Sequence, residues 1–382
     1  MKKALPIIKE FFKRADMLLL SICVICSIFS IVIIASATAS FNTPRYIIVQ
    51  VVGLLIGLVL FVIFTVLDID ILADNWGAIV VFEIVLTLLL LTPLGYADDT
   101  GNRAWLRFGF FGVQPAEVIK VAFIIVLAKH ISYLKEYKNF NLPLSVAQLV
   151  GHFLFIAGLL LVISKDMGST LVFAMIFLTM LLAAGLKLYW FLIGITLTAA
   201  VTPLFWNKIL TQHYRDRILA PYDSSIDPSG FGVRWQSNQS RTALASGQLS
   251  GMGYGEGTIT QSADALPAKQ TDFIFSVIGE ELGFIACVIV VLLLVVIIIR
   301  CVYVGIKSRN TMSMLVCMGV AGWLMFQTFE NIGMCIGIAP VIGITLPFFS
   351  YGGSSTFSLY AAIGLVSGVK YRPKPERFRM FR

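Results

Sequence analysis

The stretch LPAKQTDFIFSVIGEELGF, from Leu266 to Phe284, brings three carboxylates to the start of a long apolar run. Asp272 directly precedes the apolar run, whereas Glu280 and Glu281 lie within it. If the run forms one continuous helix, Glu280 lies about 80° round the helix axis from Asp272, and Glu281 about 180°. The three acids therefore cannot form one carboxylate cluster, and we expect them to have different roles.

Two roles suit Asp272. A carboxylate just before a helix can cap the first turn, where the helix dipole favours negative charge. A carboxylate at the surface can instead act as a general base that takes a proton from a reacting hydroxyl. Glu280 and Glu281 are predicted to be buried partners of internal cations or of polar backbone, with Lys120 as one candidate cation.

Further charges lie in or beside apolar segments. QPAEVIK places Glu117 and Lys120 three residues apart, hence on one helical face, which we expect to point inward because lipid-facing charge is unfavourable. The pair either holds two helices together or shapes the floor of a cavity, and both roles are compatible. Asp166, in the turn SKDMGST, either caps the next helix or belongs to the site. We rank all three residues as support for a site and not as catalysts.

The composition fixes the environment of these residues. Of the 382 residues, 58% are hydrophobic and only 13% are charged, and the mean hydropathy is +0.88. So little polar surface cannot cover a water-soluble globule of this size, so the chain is predicted to be an all-α polytopic membrane protein. No cleavable leader is expected, because MKKALPIIKEFFKRAD leads directly into a segment long enough to cross a bilayer.

Apolar runs of about 20 residues predict ten transmembrane helices. Their approximate ranges are 17–38, 46–67, 76–95, 114–131, 146–164, 169–184, 188–206, 272–299, 312–338 and 353–369. An even number of spans places both termini on one side of the membrane. Residues 1–16 then form an N-terminal arm, 17–369 one membrane domain, and 370–382 a basic tail.

More than half of the 29 lysine and arginine residues fall in the two terminal segments and in alternate short loops. Such an excess marks the cytoplasmic side, so both termini are predicted to be cytoplasmic. The net charge of +8 is thus mainly a topological signal, together with attraction to anionic lipid headgroups. It gives no support to nucleic-acid binding.

One long segment, 207–271, interrupts the apolar pattern between spans seven and eight. It is rich in Gly, Ser, Gln, Asp and Arg, and its length marks it as a functional external loop. Its glycine run GQLSGMGYGEG lacks the preceding strand and the following GK[ST] of a nucleotide-binding loop. The glycines instead permit tight turns, with backbone N–H groups that can approach a phosphate.

Cysteine and histidine point to no redox or metal chemistry. All six cysteines fall within or at the edge of apolar runs, so we expect small buried hydrophobes and no disulfides. The three histidines lack the spacing of zinc ligands.

Five blocks together resemble the shape, elongation, division and sporulation family, the group of RodA, FtsW and SpoVE. In chain order they are QPAEVIK, KDMGST, WQSNQS followed by ASGQLSGMG, LPAKQTDFIFSVIGEELGF, and NIGMCIGIAPVIGITLPFFSYGGSS. The resemblance extends from about residue 45 to 369. It implies a ten-span membrane glycosyltransferase that polymerises lipid II into peptidoglycan strands at the outer face of the cytoplasmic membrane, with a class B penicillin-binding protein as partner.

The same resemblance assigns roles to individual residues. It makes Asp272 the essential residue, and we interpret it as the base that accepts the proton of the acceptor sugar's 4-hydroxyl. Cations are needed to hold the diphosphate leaving group, and a Mg²⁺ ion bound to that diphosphate would need few protein ligands. The residues assigned to substrate binding or support are Arg103, Glu117, Lys120, Asp166, Arg215, Gln239, Ser240, Arg241 and Lys269. Further external cations are Arg107, Lys165, Arg217 and Arg234.

The chain departs from the family pattern at two positions. GNRAWLRFG has Ala104 directly before Trp105, where the family usually has arginine, and Arg103 stands one place earlier. In LPAKQTDFIF, Ala268 and Lys269 replace an expected acid and add a cation.

Two other functions stay open at this point. A lipid II flippase would also need inward charges and broken helices, and a non-enzymatic scaffold would activate a partner in the wall-synthesis machinery. A flippase needs polar residues along its whole path, whereas a polymerase needs one base at the external surface. The sequence favours the polymerase and leaves its role in elongation, division or sporulation open.

Overall fold

The computed structural model describes residues 4–97, 102–109, 111–208, 210–262 and 264–372. Most of the tail predicted for 370–382 therefore lies outside the described residues. The α-helices within these ranges are α1 Ala4–Arg14, α2 Met17–Ala37, α3 Arg45–Val66, α4 Ile69–Asp74, α5 Trp76–Leu88, α6 Pro115–Tyr137, α7 Pro143–Ser164, α8 Met167–Ala183, α9 Leu188–Lys208, α10 Gln212–Leu219, α11 Trp235–Ser246, α12 Ile274–Ile306, α13 Thr311–Ile336 and α14 Gly353–Tyr371.

A helix overlaps each of the ten predicted ranges, since an apolar segment must satisfy its backbone internally to enter a bilayer. Among the described residues, α2, α3, α7, α12 and α13 are long and apolar enough to cross a membrane by length and composition, and three shorter apolar helices accompany them. The chain is therefore a predominantly helical multi-pass membrane protein. The number of ten spans stays a prediction.

A small β-sheet lies between α5 and α6. Its strands β1 Gly95–Tyr96, β2 Trp105–Phe108 and β3 Phe111–Val113 form an antiparallel meander in which Leu106 pairs with both Gly95 and Val113. Leu106 of β2 is buried. The all-α prediction was wrong here, because strands of two to four residues carry too little alternation to be recognised in a sequence.

Helix α12 is broken at Gly283, which has φ 79° and ψ −176°. The second half, residues 284–306, extends about 34 Å and suffices alone to cross a hydrocarbon core of about 30 Å. The first half, residues 274–282, can therefore lie outside that core together with Asp272. The continuous helix assumed for the three acids ends two residues after Glu281, and the membrane bounds of the predicted span 272–299 stay a prediction.

Ion pairs gather at the opposite end of the bundle. Asp16 is buried, accepts a hydrogen bond from Leu19 N as the N-cap of α2, and pairs with Arg300 at 2.8 Å and Lys370 at 3.5 Å. Nearby loops are joined by Arg309, which pairs with Asp68 and Asp70. We call this region the Asp16 end and the other the Asp272 end.

An extended segment, 340–346, and the turn after it connect α13 to α14 and run into the bundle. Ser30 Oγ of α2 donates to Phe349 O at 2.6 Å, and Gln50 of α3 bonds Ser350 O and Gly352 N. Non-helical backbone is tolerated inside a membrane protein where protein groups satisfy its polar atoms. All six cysteines are buried and free, as predicted.

Candidate active site

The backbone around Asp272 is fixed from two sides. Asn331 Nδ2 of α13 donates to Asp272 O at 2.8 Å and to Ile344 O at 2.7 Å. From the segment before α14, Ser350 Oγ donates to Thr271 O at 2.5 Å. These bonds hold the main chain of Asp272 against two other elements, so its carboxylate has a defined position.

The Asp272 side chain does not cap α12. The N-cap of that helix is Phe273, which makes no side-chain capping bond. The carboxylate is instead near Gly343, where a Cβ atom would lie 3.5 Å from Asp272 Oδ2. The capping role left open by the sequence is therefore wrong, and the carboxylate is free for another task.

Burial raises the pKa of Asp272 to about 6, although the residue keeps partial contact with solvent. A hydrogen bond from the Thr271 side chain and the positive charge of Arg217 oppose this rise, while the negative charge of Asp166 adds to it. A carboxylate with this pKa is ionised at neutral pH, yet it is more basic than an ordinary aspartate. These are the properties of a general base.

Asp166 caps α8, which was one of its two expected roles. Its carboxylate accepts from Ser169 N at 2.9 Å and Ser169 Oγ at 2.7 Å, and also from Gln114 Nε2 at 2.9 Å. Gln114 N in turn donates to Ser354 Oγ at the start of α14. Asp166 thus ties together the ends of three helices beside Asp272.

Glu117 and Lys120 form the ion pair that their spacing predicted, with 2.6 Å between Lys120 Nζ and Glu117 Oε1. Both are buried, and Lys120 Nζ also lies 4.5 Å from the centre of the Trp323 ring on α13. Glu117 Oε2 is buried without a hydrogen-bond partner among the described residues. The pair joins α6 to α13, which accords with the helix-joining role.

Glu280 and Glu281 do not pair with Lys120. Glu280 accepts from Ile259 N at 2.9 Å and Thr260 N at 2.8 Å, and Glu281 accepts from Ser36 Oγ and Gln261 Nε2. The prediction of polar-backbone partners is correct for Glu280, and Lys120 as a partner was wrong. Both acids bind the segment between α11 and α12 to α12.

Residues 247–253 fill the break in α12. Met252 N and Gly253 N donate to the carbonyls of Glu280 and Glu281, while Phe284 N and Ile285 N donate to the carbonyls of Gln248 and Leu249. We call this four-bond contact the backbone clamp. Because the clamp uses the N–H groups of Met252 and Gly253, they are not available to a phosphate.

Three arginines line one cleft at the Asp272 end. Arg217 of α10, Arg234 before α11 and Arg241 of α11 surround it, with Gly337 and Val341 from the chain after α13. The Arg217 charge also lowers the pKa of Asp272, so the cleft lies within electrostatic reach of that carboxylate. Clustered guanidinium groups suit a diphosphate, which accepts paired hydrogen bonds from their planar forks.

Two of the predicted site residues are internal. Lys269 is fully buried, and its ammonium group donates to Ser40 Oγ, Thr260 O and Ser262 O, which uses all three of its donors. Ser240 is also fully buried, where its hydroxyl contacts Ser276 Oγ at 2.6 Å and donates to Cys335 O. In this structure neither side chain is available to a substrate.

The remaining predicted residues lie around the site. Arg103 N donates to Ser164 O, which brings the chain just before β2 onto the turn that carries Asp166. Arg215 Nε donates to Leu210 O, and Gln239 is partly buried on α11. Among the described residues, no group of three or more His, Cys, Asp or Glu side chains has the geometry to hold a metal ion.

Sequence reasoning missed Asn331 and did not single out Arg217 and Arg234 among the cations. A lone Asn in an apolar helix is a recognisable signal, because a buried amide must find partners. The gathering of Arg217, Arg234 and Arg241 has no local signal, since it depends on how α10 and α11 fold back over the bundle.

A family model described as "Cell cycle protein" and named for FtsW, RodA and SpoVE matches residues 13–374. Among curated proteins, the chain is 31% identical to the peptidoglycan glycosyltransferase MrdB of Escherichia coli K12 over 301 residues, which is 78% of each chain. It is also 31% identical to a probable peptidoglycan glycosyltransferase FtsW of Trichlorobacter lovleyi over 385 residues, covering 97% of this chain and 98% of the relative.

Solved structures share the fold. A chain from a structure described as the "structural coordination of polymerization and crosslinking by a peptidoglycan synthase complex" is 26% identical, with a TM-score of 0.77 over 96% of this chain and 99% of its own. A mutant form of the rod shape determining protein RodA of Thermus thermophilus is 25% identical, with a TM-score of 0.68 over 93% of this chain and 97% of its own.

Proposed function

The chain belongs to the FtsW, RodA and SpoVE family of cell cycle proteins, and we propose that it is a peptidoglycan glycosyltransferase that polymerises lipid II with Asp272 as its general base. The observation that carries this assignment is a rigidly held Asp272 whose carboxylate caps no helix and has a pKa raised to about 6. The relatives are named as peptidoglycan glycosyltransferases, which indicates the class of reaction. Asp272 is the group that accepts the proton in that reaction.

In the proposed reaction, Asp272 accepts the proton of the 4-hydroxyl on the acceptor sugar. The oxygen forms a bond to the anomeric carbon of the donor, and the bond between that carbon and the lipid diphosphate breaks. Negative charge grows on the departing diphosphate, and Arg217, Arg234 and Arg241 stabilise it. Asp166 and the Glu117–Lys120 pair position the surrounding helices, while Lys269 and Ser240 hold the external segment in place.

The assignment is tested by incubating the purified protein with labelled lipid II in detergent and separating the products on a gel. A polymerase gives a ladder of glycan strands. A flippase moves lipid II across vesicle membranes without a ladder, and a scaffold does neither alone. Absence of a ladder in the presence of a cognate penicillin-binding protein, with divalent cation supplied, contradicts the proposal.

The acid limb of the pH profile should report on Asp272. Since the base acts only when deprotonated, kcat/KM is expected to fall about tenfold per pH unit below about pH 6. Asp166→Asn should shift this midpoint to lower pH, because the change removes the negative charge that raises the Asp272 pKa while asparagine can still cap α8. Arg217→Gln should shift it to higher pH. Identical midpoints in all three proteins would assign the limb to another group.

Each arginine of the cleft is expected to contribute to holding the diphosphate. Arg234→Gln and Arg241→Gln should each lower kcat/KM by about ten- to a hundredfold, as loss of one oriented donor to a developing charge does. Arg107→Gln is the matched control, because Arg107 is an exposed arginine held 3.3 Å from the centre of the Tyr96 ring and does not line the cleft. Equal losses in the control and the cleft variants would exclude a specific role for the cleft.

We further propose ten spans with both termini in the cytoplasm, and hence an active site outside the cell. Support comes from the lysine and arginine excess in the terminal segments and alternate loops, and from the ion pairs collected at the Asp16 end. Single cysteines at positions 225 and 256, both exposed in the structure, should react with an impermeant thiol reagent in intact cells when placed in a cysteine-free background. Cysteines at 135 and 307 should react only after permeabilisation, and the reverse pattern would invert the orientation.

A class B penicillin-binding protein is the proposed partner, because a solved structure that this chain resembles comes from a complex that coordinates polymerization with crosslinking. Its single span is expected against α12 and α13, which expose Ile285, Ile289, Phe329 and Ile336. Co-purification from native membranes tests this pairing, and recovery without any such protein opposes it.

A further inference from the structure

Helices α5, α6 and α7 line a partly open chamber of about 490 Å³ toward the Asp16 end. Its walls are mainly apolar and include Trp76 and Val80 of α5 and Val126 of α6. This volume is in the range of small-molecule sites. An apolar cavity of this kind binds apolar groups more readily than ordered water.

A second chamber of about 450 Å³ adjoins the first, and the two share Lys129 and Tyr133. Its lining is more polar than that of the first chamber and includes Lys135, Glu136 and Asn310. A mainly apolar chamber therefore meets a more polar one at a common wall. This division matches an amphiphile that has a hydrocarbon chain at one end and a charged headgroup at the other.

The charged side chains near the shared wall indicate which kind of lipid headgroup would bind there. Lys129 Nζ bonds Asp74 at 2.7 Å, an exposed pair that uses one of three ammonium donors, and Lys135 Nζ bonds Ala184 O. Two lysines with further donors suit a phosphate, while the exposed carboxylate of Glu136 suits a headgroup ammonium. Both signs of charge in one chamber favour a zwitterionic headgroup over a purely anionic one.

Two aromatic side chains indicate where the chambers lie relative to the surface of the bilayer. Trp76 and Tyr133 are 55% and 47% exposed, and amphipathic rings of this type concentrate at the boundary between hydrocarbon and headgroups. His152 of α7 forms part of the inner wall.

We propose that the two chambers form a binding site for one glycerophospholipid with a zwitterionic headgroup of the ethanolamine type. Its acyl chain occupies the apolar chamber, and its phosphate lies between Lys129 and Lys135. The bound lipid would fill the space between α5, α6 and α7 from the bilayer itself. This site is independent of the glycosyltransferase reaction.

The test uses the full-length protein, equilibrated in mixed micelles with equal amounts of phosphatidylethanolamine, phosphatidylglycerol and undecaprenyl phosphate. After removal of excess lipid, native mass spectrometry counts what stays bound. We expect one phosphatidylethanolamine per wild-type chain. Retention of phosphatidylglycerol or undecaprenyl phosphate in preference, or of no lipid, overturns the proposal.

Two variants probe the two chambers separately. Val126→Trp should fill the apolar chamber and abolish retention, whereas Val162→Trp, at a lipid-exposed position of α7 outside the chamber, should leave retention unchanged. Lys129→Gln should weaken retention by about fivefold, the effect of one lysine near a phosphate. Since Lys129 is partly exposed, this variant remains informative if Val126→Trp misfolds. Wild-type retention in Lys129→Gln would contradict the assigned headgroup position.

Discussion

Asp272→Asn is expected to abolish polymerisation of lipid II while the protein still folds. A general base contributes about 10² to 10⁴ in rate, equivalent to about 3 to 5 kcal/mol of barrier. Asparagine preserves the shape of the side chain but cannot accept a proton. The hydrogen bonds that fix this position use the backbone carbonyls of Thr271 and Asp272, so they survive the substitution.

The measurement is the rate of glycan-ladder formation by the purified variant, with melting temperature as the check on folding. Asp223→Asn is the matched control, because Asp223 is an exposed aspartate between α9 and α12 that caps a short 3₁₀ turn, a task asparagine also performs. If Asp272→Asn keeps more than about a tenth of the normal rate, the loss is too small for a base of this kind. The base must then be sought elsewhere.

Gly251→Ala is expected to prevent stable folding by opening the backbone clamp. Gly251 has φ +82°, and a Cβ atom there would lie 2.2 Å from the carbonyl oxygen of Glu281. The clamp cannot yield locally, because its four bonds satisfy the polar groups freed by the break in α12. Each buried group left unpaired costs about 1 to 3 kcal/mol, and the sum is comparable with a typical total stability of about 5 to 15 kcal/mol.

Gly255→Ala is the control that distinguishes the steric clash of the added Cβ atom from the strain of a positive φ. Gly255 has φ +76°, nearly the same conformation, but nothing lies within 4 Å of the Cβ position. The control therefore keeps the strain of about 1 to 2 kcal/mol without the collision. The fraction of monodisperse protein in detergent and its melting temperature should fall sharply for Gly251→Ala and slightly for Gly255→Ala. Equal losses in the two variants would mean that the clamp contributes little to stability.

Helix positions were predictable from the sequence, whereas interruptions within them were not. Long apolar runs mark helices because a bilayer leaves the backbone no other partners. The break at Gly283 lies inside such a run, and its cause is a segment about thirty residues earlier that supplies substitute hydrogen bonds. Hydropathy averages over both halves and cannot register a contact of this kind.

Among the site residues, local spacing gave reliable predictions and charge alone did not. Glu117 and Lys120 pair because three residues along a helix bring two side chains to one face. Lys269 was assigned to the substrate as an external cation, yet the folded segment surrounds it completely. Whether a cation is exposed depends on which other segments pack over it. Those tertiary contacts have no local pattern in the sequence.

The break in α12 also bears on how the protein is made. An insertion machinery reads each segment by its own apolar character as it emerges, and an acid near the centre of such a segment opposes its entry into lipid. Residues 284–306 contain no acid, and their one charge, Arg300, lies toward the end where it pairs with Asp16. This half can therefore enter the bilayer by its own apolar character, without Glu280 and Glu281 at the centre of the inserting segment. Asp272 acquires its final position only afterwards, when α13 and the chain beyond it have been synthesised and can close over it.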